Sequence, residues 1–365
     1  MLINLTKEEL KKCQRLLDIK ESNISAAEIY IEYLNFHYND IKKIDIDNLT
    51  KKYSKNEAFF KAFLNKMEID ENDKEFSEID EINKVSQFNL LDSNEYKNND
   101  YYKAIGQIKC KEKDWQFVTL KYQPYEAFTY DELIIDDEYF VEHTPFGYFE
   151  NEFPYLAVLQ GEKIWMSVIP HEINTMKDAI NNAHGKVLVL GLGLGYYLYN
   201  IASKKEVASI DVIEFDPAII DLFNKYLLNK MPHFEKINIK LADAFEYLKK
   251  PNKYDYAFVD IYHNVGDGES AYLKCKSLEK FHPNTKFDYW IEKSILAMLR
   301  RQTLTVFEEN LNGYKDIDYQ KAENLNDEII NSIYKQTKNI KINSFKDLHD
   351  LLTDSSLKKL ATKLF

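Results

Sequence analysis

The spacing of apolar and polar residues changes along the chain, and the changes mark its parts. Thr6-Lys7-Glu8-Glu9 is a capping-box pattern followed by Leu10, Cys13 and Leu17 at helical spacing. Ser25 to Glu28 repeats the pattern ahead of Ala27, Tyr30, Ile31 and Leu34, and Ser54 to Glu57 repeats it ahead of Phe60, Phe63, Leu64 and Met67. Three capped amphipathic helices in a small bundle are expected. Glu68 to Glu81 is acidic and poor in apolar residues, the composition of a linker or solvated surface.

From Tyr101 to Ile169 the period shortens. Trp115 to Lys121 alternates like a strand, and Tyr155 to Leu159 with Ile164 to Ile169 flank the turn Gln160-Gly161-Glu162-Lys163 as a hairpin. A small antiparallel β unit is expected. Glu172 to Ala183 returns to helical spacing and leads into Val187 to Leu190, a continuous apolar run of the kind found in buried parallel strands. Strands near 207–214, 237–241 and 256–260 then alternate with helices at 217–229 and 244–248. This alternation predicts an α/β fold, a Rossmann-like doubly wound and mostly parallel sheet. Beyond Asp260 the pattern predicts helices at 271–281 and 289–299, a strand at 302–307, and helical stretches at 328–334 and 345–364. The expected organisation is a helical N-terminal domain with acidic linker over 1–98 and a β-rich unit over 99–170. A Rossmann-like domain over 171–312 and a helical segment over 313–365 follow.

Composition narrows the function. The chain has 365 residues, 45% of them hydrophobic, enough for a sizeable core. No apolar run reaches the roughly 18 residues of a membrane span, and the N-terminus lacks the pattern of a signal peptide. Cys13, Cys110 and Cys275 are far apart, so neither a disulfide framework nor a zinc site is expected and a cytoplasmic setting is the default. A net charge of −12 with only Arg15, Arg300 and Arg301 as arginines argues against nucleic acid as a partner. No metal site is expected.

The candidate chemistry lies at successive strand ends. Gly191, Gly193 and Gly195 follow the strand ending at Leu190, where a tight turn lets the backbone approach a ligand and a helix N-terminus offers free N–H groups. Glu214 ends the second strand and can accept hydrogen bonds from ribose hydroxyls. Asp243, followed by Ala244, comes after the third strand, placed to accept from an adenine amino group. Asp260 ends the fourth, where the reactive end of a ligand would lie. A nicotinamide dinucleotide site needs a last glycine at position 196, where Tyr196 stands. Asp260, Tyr262 and His263 are placed to orient or deprotonate an acceptor. His143 and His171 are further candidates. The aromatics Tyr139, Phe140, Phe146, Tyr148 and Phe149 are read first as core and second as a pocket lining.

This ordered set resembles the class I S-adenosylmethionine-dependent methyltransferases, over roughly Glu172 to Ile261. The resemblance implies that Gly191, Gly193 and Gly195 back the cofactor, that Glu214 holds its ribose, and that Asp243 with Ala244 holds its adenine. In layout the chain is most similar to the spermidine-synthase group. That group also carries a β domain before the sheet, a His-Glu pair before the glycine loop (His171-Glu172 here), and a motif like Ala242-Asp-Ala-Phe-Glu-Tyr-Leu248. Two departures stand out. Leu194 replaces the loop aspartate of the group's G-G-G-D-G-G, and His263 replaces the second carboxylate of its D-x-x-D. Losing those carboxylates weakens the site for a cationic substrate. The leading expectation is therefore a methyltransferase using S-adenosylmethionine on a small molecule or protein side chain. An aminopropyltransferase using the decarboxylated cofactor is the alternative, and a non-catalytic nucleotide-binding module is the third reading. A homodimer is expected; nucleic-acid and membrane partners are not.

Overall fold

The computed structural model describes residues 1–365 apart from 107, 113 and 317. Its centre is a parallel sheet of five strands in the order Ile237–Leu241, Val207–Glu214, Gly185–Leu190, Tyr256–Val259 and Lys286–Tyr289. Val187, Leu188, Val189 and Leu190 are all buried, as a central strand covered on both faces requires. The chain adds two strands on one side of Gly185–Leu190 and then crosses to add two on the other. The switch point therefore falls between the ends of Gly185–Leu190 and Tyr256–Val259, the position where doubly wound sheets bind ligands.

Ahead of the sheet lies a four-stranded antiparallel unit in the order Lys163–Ser167, Phe153–Gln160, Trp115–Tyr122 and Cys110–Glu112. The expected hairpin is its first pair. A three-stranded sheet joins Phe88–Leu90, Phe146–Tyr148 and Ala127–Thr129. The first helix, Lys7–Glu32, is capped by Thr6, whose hydroxyl accepts from the Glu9 N–H at 3.3 Å. It packs on helices Lys74–Asn83, Glu292–Leu311 and Phe345–Leu352. One hydrophobic core runs from Cys13 and Leu17 through Leu188 to Leu357.

Several expectations are corrected. Ser25 does not start a helix; it lies inside Lys7–Glu32. The neighbouring buried polar residues point outward from the helix to tertiary partners, Ser22 to Asn83 and Asn23 to the Phe140 carbonyl, and the apolar stripe continues past them. The acidic stretch read as a linker contains helix Lys74–Asn83, capped by Asp73 and anchored by buried Phe76 and Ile79. Residues 100–105, placed in the β unit, are a helix capped by Asn99. Residues 302–307 are not a strand but part of helix Glu292–Leu311. That helix is buried on several faces, so its run of Thr303, Leu304, Val306 and Phe307 loses the helical period, and tertiary packing overrides β propensity. The fifth strand is Lys286–Tyr289, which lies just ahead of it. Among the described residues no helix is long and apolar enough to cross a membrane.

Candidate active site

The glycine bend is held from every side. Gly191 has φ +96°, and a Cβ there would lie 1.8 Å from the Asp260 carbonyl oxygen, so the ends of the first and fourth strands touch through it. A Cβ at Gly193 would meet the Met166 sulfur, and one at Gly195 the ring of Phe223, at 2.3 and 2.6 Å. The glycines therefore serve the protein's own packing as well as ligand approach. The Leu192 N–H donates to Glu214 Oε2 at 3.1 Å and the Leu194 N–H to Met166 Sδ at 3.1 Å. The Tyr101 hydroxyl donates to the Leu194 carbonyl at 2.8 Å. Tyr101 and Met166 are far from the bend in sequence, and no local pattern marks them.

Glu214 is buried at the end of its strand. Besides Leu192, the N–H groups of Phe215 and Asp216 donate to its Oε1 at 2.8 and 2.9 Å. A carboxylate has roughly four acceptor positions. Three are filled by backbone, which leaves about one for a ligand hydroxyl rather than the pair first expected. Asp243 is exposed and caps helix Ala244–Leu248, accepting from the Glu246 N–H at 2.8 Å. Gly191, Gly193, Glu214, Asp243 and Ala244 all line one cavity of about 420 Å³, together with the apolar Ile213 and Phe245. That volume and mixture of apolar walls with a few polar groups fit a nucleoside. Gly195 lies behind this cavity, against Phe223.

The cavity opens into a larger cleft of about 650 Å³, and Trp165, Met166, Asp260, Tyr262 and His263 line both. The cleft wall carries Asp260, Glu172 and Glu126, and no lysine or arginine among the described residues. Burial first, and then the charge of Glu214, push the Asp260 carboxyl up to about 7. Burial, with Asp260 beside it, pushes Glu172 well above the usual carboxylate range. Glu126 is raised by burial.

The other candidates separate. The Tyr262 hydroxyl donates to the Trp290 carbonyl at 2.5 Å and its ring stacks on that indole, so it braces the wall and has no free proton position for an acceptor. His263 is half-exposed; its Nδ1 lies 2.9 Å from Asp267 Oδ2, and its ring meets Trp165 edge-on at 5.0 Å. Asp267 also accepts from the backbone N–H groups of His263 and Asn264, which fixes this turn. His171 lines the cleft, where burial holds it neutral with a pKa near 4. His143 bonds the Asn83 carbonyl at 3.1 Å and does not line the cleft. Phe140, Phe146, Tyr148 and Phe149 are buried in the core, and Tyr139 packs on Phe345. None of these aromatics lines the cleft, whose aromatic walls include Tyr122, Phe128, Trp165 and Trp290 instead.

A parallel sheet with a glycine bend on its central strand and acids at the following strand ends has the Rossmann-like fold of the class I S-adenosylmethionine-dependent enzymes. Within that class, residues 168–280 match the spermine/spermidine synthase domain. A polyamine aminopropyltransferase of Clostridium botulinum (strain Eklund 17B / Type B) is 27% identical over 171 residues, 43% of this chain and 58% of that protein. Spermidine synthase 2 of Arabidopsis thaliana is 30% identical over 93 residues, 24% of this chain and 27% of that one. The solved spermidine synthase from Thermotoga maritima is 19% identical with a TM-score of 0.29, covering 41% of this chain and 55% of that structure. The chain thus spans just over half of the first of these relatives.

These matches overturn the leading expectation. The domain and the curated relatives are named for aminopropyl transfer and spermidine synthesis, not methyl transfer, so the methyltransferase reading is withdrawn, along with S-adenosylmethionine itself as the donor. That expectation gave the departures at positions 194 and 263 more weight than Asp267 or acids of the β unit, which could compensate for them. The cleft carries Glu126 and Glu172 outside those positions.

Proposed function

We propose that the chain is an aminopropyltransferase, moving an aminopropyl group from decarboxylated S-adenosylmethionine to a small aliphatic amine. The observation that carries this reading is the cleft beside Asp260: acidic, walled by aromatics and free of lysine and arginine among the described residues. Such a surface fits an alkyl ammonium, with carboxylates for charge and ring faces for the methylenes and cation. The carboxylate of intact S-adenosylmethionine would find no lysine or arginine on the cleft wall to pair with, among the described residues, whereas the decarboxylated form lacks that anion.

The donor supplies a sulfonium whose adjacent methylene is already electrophilic. The acceptor nitrogen forms a bond to that carbon, the carbon–sulfur bond breaks, and its electron pair stays on sulfur as a neutral thioether. Before attack the ammonium must lose a proton, and Asp260, with a carboxyl near 7, is matched to take it at neutral pH. Gly191, Gly193, Glu214, Asp243 and Ala244 hold the adenosine, and Trp165 with Tyr262 narrows the passage to the cleft. His263 takes a supporting role, oriented by Asp267.

Purified protein given decarboxylated S-adenosylmethionine and putrescine should release methylthioadenosine and an aminopropylated amine in equal amounts. Intact S-adenosylmethionine should give no product. Absence of methylthioadenosine with every alkyl diamine tried, on folded protein, sinks this reading. For the cofactor side, Glu214→Ala should weaken methylthioadenosine binding by at least about tenfold in calorimetry, the cost of one hydrogen bond to a charged group. Asp243→Ala should lower stability by about 1 kcal/mol through its lost cap and weaken the same binding. Unchanged affinity in both variants removes these residues from the nucleoside site.

A further inference from the structure

The start of helix Glu292–Leu311 is held from far along the chain. Its cap position is Ile291, which makes no side-chain cap and stands at φ +47°. A β-branched residue rarely adopts that left-handed backbone, so the turn needs support from outside. On the strand side the support is Trp290. Its N–H donates to the Val259 carbonyl at 3.0 Å, its indole Nε1 donates to Thr175 Oγ1 at 2.9 Å, and its carbonyl accepts from the Tyr262 hydroxyl. On the helix side Glu292 reaches outward, accepting from the Tyr272 hydroxyl at 2.9 Å and from Lys358 Nζ at 2.6 Å. The first backbone N–H groups of a helix have no partner within it. Here the Ser294 N–H donates at 3.0 Å to Oε1 of Glu132, 162 residues earlier, and the Lys293 N–H bonds the same carboxyl.

Glu132 lies in the loop between strands Ala127–Thr129 and Ile134–Ile135. It does not line the cleft. It faces a second cavity of about 670 Å³, together with Lys293, whereas Trp290, Ile291 and Ser294 line the cleft itself. The helix start thus divides the two spaces, and Glu132 supports it from behind. Burial lifts the Glu132 carboxyl to about 7, opposed by the Ser294 N–H and the charge of Lys293. An uncharged oxygen of the same reach can therefore do its work. Neither Glu132 nor this helix falls within the residues 168–280 that match the family domain.

We infer that Glu132 is a positioning residue for the acceptor: it caps helix Glu292–Leu311 across the chain and so sets the wall that Trp290, Ile291 and Ser294 present to the cleft. The inference rests on the aminopropyl-transfer reading for the identity of that acceptor. None of these three wall residues lines the nucleoside cavity, so the effect should divide between the two ligands. Glu132→Ala should raise KM for putrescine about three- to tenfold, the worth of one buried hydrogen bond, with kcat changed less than about twofold. Methylthioadenosine affinity should stay as it is in the unaltered protein. Glu132→Gln restores an oxygen for the Ser294 N–H and should return KM to its original value.

A second readout needs no turnover. The chain has three tryptophans, so a nitrogen-labelled sample gives three indole N–H signals, and Trp290→Phe identifies one of them. In Glu132→Ala the Trp290 signal should move while that of Trp115, on the antiparallel sheet, stays in place. In Glu132→Gln it should return. Equal loss of amine and nucleoside binding in Glu132→Ala overturns the assignment, as does a Glu132→Gln variant that restores nothing. Should Glu132→Ala fail to fold, Glu132→Met fills the same space without a strong acceptor and must show the same division. If the unaltered protein transfers no aminopropyl group, the functional reading falls and the indole signals alone decide whether Glu132 holds the wall. If it transfers the group but Glu132→Ala leaves both KM and the Trp290 signal unchanged, the function stands and the positioning role falls.

Discussion

Asp260→Asn should lower kcat for aminopropyl transfer by about 10²- to 10⁴-fold, the range of a lost general base, while making the ligand-free protein more stable at alkaline pH. Both effects come from one carboxyl. Burial and the charge of Glu214 lift it from 3.8 to about 7. As a base it works in its ionised form, so kcat/KM of the unaltered protein should rise as pH increases through about 7. The variant's profile should lack that rise. For stability the sign is opposite. The folded state holds this proton more tightly than the unfolded chain, so folding gains from it below about pH 4 and loses the gain as pH rises to about 7. Asparagine stays neutral throughout. The variant should therefore melt above the unaltered protein at pH 8 and no higher than it at pH 4. A variant that melts lower at pH 8, or keeps full activity, would falsify the role given to Asp260.

Gly191→Ala should be the most damaging single change in the nucleoside cavity, costing more than about 4 kcal/mol of stability. At φ +96° an alanine is strained, and its methyl would sit 1.8 Å from the Asp260 carbonyl. Relief requires separating two paired strands: the Gly191 N–H bonds the Ile213 carbonyl, and the Asp260 N–H bonds the Leu190 carbonyl, each at 2.9 Å. Gly193→Ala differs in kind. Its methyl meets only the sulfur and terminal carbon of Met166, the far end of a flexible side chain, and its φ of +50° lies in the left-handed well, a smaller strain for alanine than +96°. That change should cost about 1–3 kcal/mol. Urea unfolding of the two variants should rank them in this order, and the reverse ranking contradicts the account of the bend.

What the sequence made legible follows from the range of the interactions. The strands Gly185–Leu190, Val207–Glu214, Ile237–Leu241 and Tyr256–Val259 are apolar runs bounded by turns, a local signal. Acids placed just past such runs fall at the sheet's carboxyl edge, so Glu214, Asp243 and Asp260 could be nominated together. Lys286–Tyr289 is an edge strand in which Lys286 and Asp288 interrupt the apolar residues, so it offers no continuous apolar run. Long-range contacts left no trace. Tyr101 bracing the bend, Met166 under Gly193, and Leu34, Tyr38 and Glu126 on the cleft wall are brought in by folding alone. The departures at positions 194 and 263 outweighed acids of the β unit such as Glu126 in the reading of the motifs, which put methyl transfer ahead of aminopropyl transfer.

Helix Lys7–Glu32 has two halves with different histories during synthesis. Ala26 and Tyr30 are covered by residues such as Phe63 and Phe76, made soon afterwards. Cys13, Leu16 and Leu17 belong to the core completed by residues such as Leu304 and Leu348, and Lys20 waits for Glu308. A ribosome-tethered chain halted before residue 292 should accordingly be cut by protease near residue 15 and spared near residue 30. Anything that recognises uncovered apolar helix in the nascent polypeptide would meet this stretch first and release it last.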